Sequence, residues 1–100
     1  MDTFIKQPAE IIRYTVDFSK ALDVGDTVAS VTYSGVENVQ GFVSADSVLM
    51  LSDEQIDPSV GVRHLVSGGV SGQTYKATVR VATTLGETLE HEYRVKVKDI

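Results

Sequence analysis

Between Thr74 and Lys98 the side chains alternate almost without a break, and this constrains the fold more than any other feature of the chain. Tyr75, Ala77, Val79 and Val81 share one side of an extended segment, while Lys76, Thr78, Arg80 and Ala82 take the other. After Leu85-Gly86-Glu87 the pattern returns, with Leu89, His91, Tyr93, Val95 and Val97 set against Glu90, Glu92, Arg94, Lys96 and Lys98. This is a β-hairpin with one dry face and one wet face. A three-residue loop at Leu85-Gly86-Glu87 predicts that Val79 faces Tyr93, that Ala77 faces Val95, and that Arg80 meets Glu92 on the wet side. A two-residue loop at Leu85-Gly86 would set Val81 against Glu90 and mix the faces, which a half-buried sheet does not tolerate. Gly86 supplies the positive φ such a loop needs. Burial of the apolar row, at about 1.5–3 kcal/mol per large side chain, outweighs the exposed ion pair at about 0.2–1 kcal/mol.

The remaining segments read as further short strands. Residues 1–10 have no settled period and are expected to form an extended arm, in which Pro8 suits an edge. Ile12, Tyr14, Val16 and Phe18 alternate with Arg13, Thr15 and Asp17, a strand. Ser19 to Asp26 reads as a tight helical turn or a loop, capped by Asp17 or Ser19, closed by Gly25, with Leu22 plugging the core. Thr27 to Tyr33 is a β-branched strand whose buried face the pattern leaves open. Ser34-Gly35 is expected to turn, and Val36 to Val43 to form one short strand or an irregular crossing. Ser47 to Leu51 is read as a strand, Ser52 to Ser59, with Pro58, as a loop or short helical turn, and Val60 to Val66 as a strand ending at Ser67-Gly68-Gly69. Six or seven short strands parted by turn residues predict an all-β, antiparallel β-sandwich with a long C-terminal hairpin.

Composition narrows the chemistry. One hundred residues suit a single domain that buries roughly 60–70% of its unfolded surface. There is no cysteine, so disulfides, thiolate metal sites and cysteine nucleophiles are excluded together. No apolar run approaches a membrane span, and Met1-Asp2-Thr3-Phe4-Ile5-Lys6 lacks the features of a signal peptide, so use without export and without a membrane is expected. The net charge is −5, of which residues 1–73 carry −6 and the chain from Thr74 onward +1. An acidic body with no tryptophan counts against nucleic-acid binding.

The residues that could carry chemistry do not form a site. His64 and His91 have no nucleophile elbow, no orienting carboxylate and no ligand at short spacing, and are expected to be packed or edge histidines. Asp46, Asp53, Glu54 and Asp57 form the one dense carboxylate group. Their spacing matches no calcium loop, because Ile56 falls inside it and the glycine is missing. Ser67 to Gly72 continues into Gln73-Thr74-Tyr75 and a strand rather than a lysine, a hydroxyl residue and a helix, so it is a turn and not a phosphate cradle. The expectation is therefore no catalytic, cofactor or metal residues, with Gly68, Gly69, Gly72, Tyr75 and Gly86 as structural positions and no partner interface assigned. Tyr75, following a glycine-led turn at the start of the penultimate strand, sits where immunoglobulin-like and fibronectin type III-like sandwiches place a tyrosine corner.

An ordered set of residues along most of the chain is similar to a known family. Phe4-x-Lys6-x-Pro8-x-Glu10, Tyr14-x-Val16-Asp17-Phe18-Ser19-x-x-Leu22-x-x-Gly25-Asp26-Thr27, Ser67-Gly68-Gly69-x-x-Gly72-Gln73-Thr74-Tyr75, Thr83-Thr84-x-Gly86 and Val95-x-Val97 resemble small structural proteins of tailed bacteriophages and prophages, of the fiber-tail adaptor or neck/tail accessory type. Residues 28–60 contribute little, and Phe18 and His64-Leu65 stand where many relatives have tryptophan. The resemblance implies a non-enzymatic virion component, made in the host cytoplasm, with an immunoglobulin-like domain over residues 11–100 behind the arm of residues 1–10. It would need no cofactor and act by contact with other tail, neck or fiber proteins, in repeated copies that could include a homo-oligomer. The arm would either add to a neighbour's sheet edge or pack on its own domain. Two rival readings are a bacterial surface binding module for protein or carbohydrate, and a metal-dependent domain using the carboxylates near Asp53.

Overall fold

In a computed structural model that describes residues 2–39 and 49–99, the alternating segments form seven strands: β1 (Asp2–Lys6), β2 (Ile12–Asp17), β3 (Val28–Asn38), β4 (Met50–Asp57), β5 (Gly61–Ser67), β6 (Thr74–Thr83) and β7 (Thr88–Val97). They make a β-sandwich of a four-stranded sheet, β1-β7-β6-β3, and a three-stranded sheet, β2-β5-β4. Pairing is antiparallel except between β1 and β7, which run parallel. The core lies between the sheets. Val16, Val62 and Val66 enter it from one side, and Ala77, Val79, Val81, Tyr93, Val95 and Val97 from the other. Leu22 packs against its edge, as expected of a plug. The N-terminal arm packs on its own chain as β1, with Asp2 opposite Tyr93 and Lys6 opposite Val97.

The hairpin forms with the expected faces but a different register. Ala77 faces Tyr93, Val79 faces His91 and Arg80 faces Glu90, two places from the expected partners. The loop is Thr84-Leu85-Gly86: Gly86 N bonds Thr83 O at 3.1 Å, and Thr83 N bonds Glu87 O at 2.8 Å. In such a loop the positive-φ residue comes last, after a type I turn, and Gly86 with φ 96° takes that place rather than the centre. Moving the loop back by one residue shifts every pair by two, so the dry and wet faces survive. Arg80 therefore binds Glu90, at 2.7 Å, and not Glu92, which pairs with Lys76 at 3.1 Å. A double-mutant cycle on Arg80 and Glu90 should return a coupling of about 0.2–1 kcal/mol, as exposed pairs do, and a cycle on Arg80 and Glu92 almost none. Equal couplings would contradict this register.

Two expectations for the middle of the chain are corrected. Ser34-Gly35 does not turn; β3 continues through it to Asn38. Register shifts between Val28 and Ser30, and again between Val31 and Tyr33, each add a residue, so it is Val28, Val31, Ser34 and Val36 that pair with the inward residues of β6 and no regular alternation marks the buried side. Ser52 to Ser59 is not a loop either. Through Asp57 it is β4, paired to β5, with a bulge between Ser52 and Gln55, and the turn begins only at Asp57, whose carbonyl accepts from Val60 N at 3.0 Å. A strand at a sheet edge with mostly exposed side chains has no dry face to alternate with a wet one. Leu49 is buried and leads into β4, while the rest of the possible crossing and Asp46 lie outside the described residues.

Candidate functional site

Where both sheets supply rings, the interior is aromatic and polar. Phe4 and Tyr93 come from the four-stranded sheet, Tyr14 and His64 from the other. Tyr14 stacks on Tyr93 with ring centroids 4.1 Å apart and on Phe4 at 5.2 Å, and His64 lies 5.9 Å from Tyr93. His64 is fully buried, its Nε2 hydrogen-bonded to the Tyr93 hydroxyl, and its Nδ1 has no partner among the described residues. Burial holds the imidazole below its ordinary pKa and pushes the Tyr93 phenol well above its own. A neutral imidazole against a protonated phenol, enclosed by rings and valines, has no access for a substrate. Its chemical consequence is a pH-dependent core.

Lys6 is the second polar group inside. Fully buried, it donates from Nζ to Gln7 O at 2.8 Å, Pro8 O at 3.2 Å and Gly68 O at 2.8 Å. The ammonium thus fastens β1 to the β5–β6 turn. Burial lowers its pKa, against the raising effect of the Glu10 carboxylate. A lysine in an N-terminal arm reads as exposed, yet the signal was present: Phe4 and Lys6 are two apart, so if Phe4 points inward Lys6 does too.

Around the same turn, Gly68, Gly69 and Gly72 have φ of 76°, 95° and 88°. A β-carbon on Gly69 would lie 2.6 Å from Val97 Cγ2, so this position is closed by packing as well as by backbone conformation. The Tyr75 hydroxyl accepts from Val70 N at 3.0 Å, five residues upstream. Tyr75→Phe should cost about 1 kcal/mol of unfolding free energy by chemical denaturation, the ordinary worth of a hydrogen bond whose loss strands a backbone donor. An unchanged midpoint would show that the hydroxyl holds nothing.

The outer surfaces are networks of ordinary ion pairs. Lys76 bridges Glu37 and Glu92, Arg80 pairs with Glu90 beneath the Tyr33 ring, and Arg13 reaches across β5 to Asp53, binding both its carbonyl and its carboxylate. Asp53, one carboxylate of the acidic group, is thereby engaged. No group of three or more metal-ligating side chains arises among the described residues. His91 lies half-buried on β7, 3.7 Å from Asp2, and His64 and His91 both flank Tyr93 without sharing a ligand or a cleft.

What the surface does offer is two unlike ends. One joins the β2–β3 loop to the β6–β7 hairpin: the Asp26 carboxylate accepts from Thr27 N at 2.8 Å and Leu85 N at 3.0 Å, and Thr27 Oγ1 meets Thr84 Oγ1 at 2.7 Å. Desolvation would raise the Asp26 pKa, but these hydrogen bonds outweigh it and leave the carboxyl below its ordinary value. The other end is a groove of about 260 Å³ between β1, β7 and residues 72–74, lined by Ile5, Lys96, Val97 and Lys98.

Over residues 6–96 the chain matches a family model described as podophage GP4 fiber-tail adaptor protein gp77. No curated protein matches the chain.

Proposed function

The chain belongs to the podophage GP4 fiber-tail adaptor protein gp77 family, and we propose that it works in the virion as a structural adaptor, by protein–protein contact and without catalysis. The match from Lys6 to Lys96 carries this reading, because it takes in five of the seven strands in full and all of β7 but Val97. Partners are other tail and fiber proteins of the particle. A body of net charge −5 supports protein partners over nucleic acid.

The sandwich belongs, on this reading, to the immunoglobulin-like class, over residues 11–100, with the arm of residues 1–10 laid on it. Support comes from the strand order, with third, sixth and seventh strands in one sheet and second, fourth and fifth in the other, and from the Tyr75 hydroxyl bond. Such a body suits an adaptor because its edges discourage open-ended pairing. β3 and β4 are interrupted by bulges and β1 has five residues, which leaves loops and ends as the surfaces for specific contact. The test is the particle itself. Virions produced with this gene disrupted should lack fibers in electron micrographs, and mass analysis of intact virions should find the chain. Fully fibered particles without it would refute the adaptor role.

A further inference from the structure

The two ends differ in a way that core packing does not require. At the hairpin end the exposed carboxylates of Asp23 and Glu87 flank two apolar side chains, Val24 at 102% exposure and Leu85 at 64%. The nearby Asp23 carboxyl, by accepting a hydrogen bond from the protonated form of Glu87 and by its negative charge, raises the Glu87 carboxyl pKa, with burial and the charge of Asp26 adding to it, the mark of an excess of negative charge there. At the groove end Ile5 is 51% exposed beside Val97, and Lys96 and Lys98 are exposed and engaged by none of the ion pairs among the described residues. Asp99 follows them, its backbone N–H bonded to Ser71 Oγ at 3.2 Å. The ten residues of β7 separate the ends by about 30 Å, at roughly 3.3 Å per residue, in a molecule measuring 43 × 22 × 21 Å.

The geometry points to a head-to-tail contact between copies of this chain, in which the Val24–Leu85 knob of one copy seats in the Ile5–Val97 groove of the next, with Asp23 and Glu87 against Lys96 and Lys98. The knob carries carboxylates and the groove two lysines beside the single carboxylate of Asp99, so the two ends are complementary in sign, which steers the encounter and sets its orientation. Because the two surfaces differ, every copy keeps one end open, and the array closes into a ring or runs on as a filament according to the rotation between neighbours. A patch this small makes a weak pair, which closure of a ring strengthens by effective concentration. The inference deepens the adaptor reading by naming one partner. It is tested on the purified chain alone, so its failure leaves contacts with other tail proteins untouched.

Sedimentation velocity of the full chain, from micromolar to millimolar concentration at physiological salt, should show a weight-average mass that climbs with concentration and falls back toward the monomer at high salt. L85S, K96E/K98E and D23K/E87K should each weaken association at least about tenfold, while circular dichroism and thermal midpoint stay close to those of the parent. These positions are exposed, so folding is not at stake. Mixing K96E/K98E with D23K/E87K, or combining all four changes in one chain, restores opposite charges across the contact and should restore association. A parent chain that stays monomeric throughout overturns the proposal, as does a charge variant that associates like the parent or a fourfold variant that fails to recover.

Discussion

Replacing Lys6 by methionine should lower the thermal midpoint by roughly 10–30 °C, the shift that a loss of about 2–4 kcal/mol produces in a domain of this length. Methionine keeps most of the stem's volume and removes the ammonium, so the effect isolates three hydrogen bonds. Gln7 O, Pro8 O and Gly68 O would lose a charged donor together. Gly68 matters most, because it lies 62 residues away in the turn between β5 and β6, and its bond is what ties the arm to the body. Arginine should not rescue. Its planar fork is larger than the ammonium and cannot aim at three carbonyls converging on one nitrogen. Hydrogen exchange gives a second readout, since Lys98 N donates to Lys6 O at 2.8 Å and should lose protection when β1 loosens. A methionine variant melting within about 2 °C of the parent, less than the shift for 1 kcal/mol, would show the ammonium to be dispensable.

Lys6 also marks the limit of what patterning can disclose. Period-two alternation locates a strand when one face is dry, and β2, β5, β6 and β7 were legible for that reason. It fails for β4, which has almost no dry face, and for β3, where two bulges move the inward positions from a spacing of two to one of three. The hairpin register was missed for a narrower cause. The place of Gly86 within its loop decides which residues pair, and parity alone leaves steps of two unresolved. The His64–Tyr93 bond and the carbonyl cage around Lys6 join residues far apart in the chain, so no local pattern could assemble them. Docking surfaces are harder still. Val24, Leu85, Ile5 and Lys96 are unremarkable singly, and become two ends only once β1 is laid along β7 and the β2–β3 loop is fixed to the hairpin by Asp26.

The buried imidazole makes stability depend on pH in a window where few other groups titrate. His64 is held neutral chiefly by burial, Arg13 acting in the same direction and Glu54 opposing; the rings of Tyr14 and Tyr93 face it. Its pKa in the folded chain lies below the ordinary value of 6.5, so between the two values the unfolded chain binds the extra proton. Stability is therefore fully present above pH 6.5 and drains away as pH falls below it toward the folded pKa, at a limiting slope of about 1.4 kcal/mol per pH unit for one proton. Urea unfolding at pH 7.5, 6.5, 5.5 and 5.0, a series spanning the histidine window while remaining above the ordinary carboxylate range, should give falling free energies. His64→Gln removes the titration while leaving a polar partner for the Tyr93 hydroxyl. It should be less stable at pH 7.5 but nearly flat down to pH 5.0, so that the two curves converge in acid. Asp17 and Asp26, whose carboxyls are held below their ordinary range by hydrogen bonds, lose their contribution only at lower pH and act in both proteins alike. Parallel curves would place the acid sensitivity elsewhere and leave His64 as packing alone. Converging curves would mean that the same Tyr93–His64 contact that joins the two sheets at neutral pH is the first to oppose them when the imidazole gains a proton.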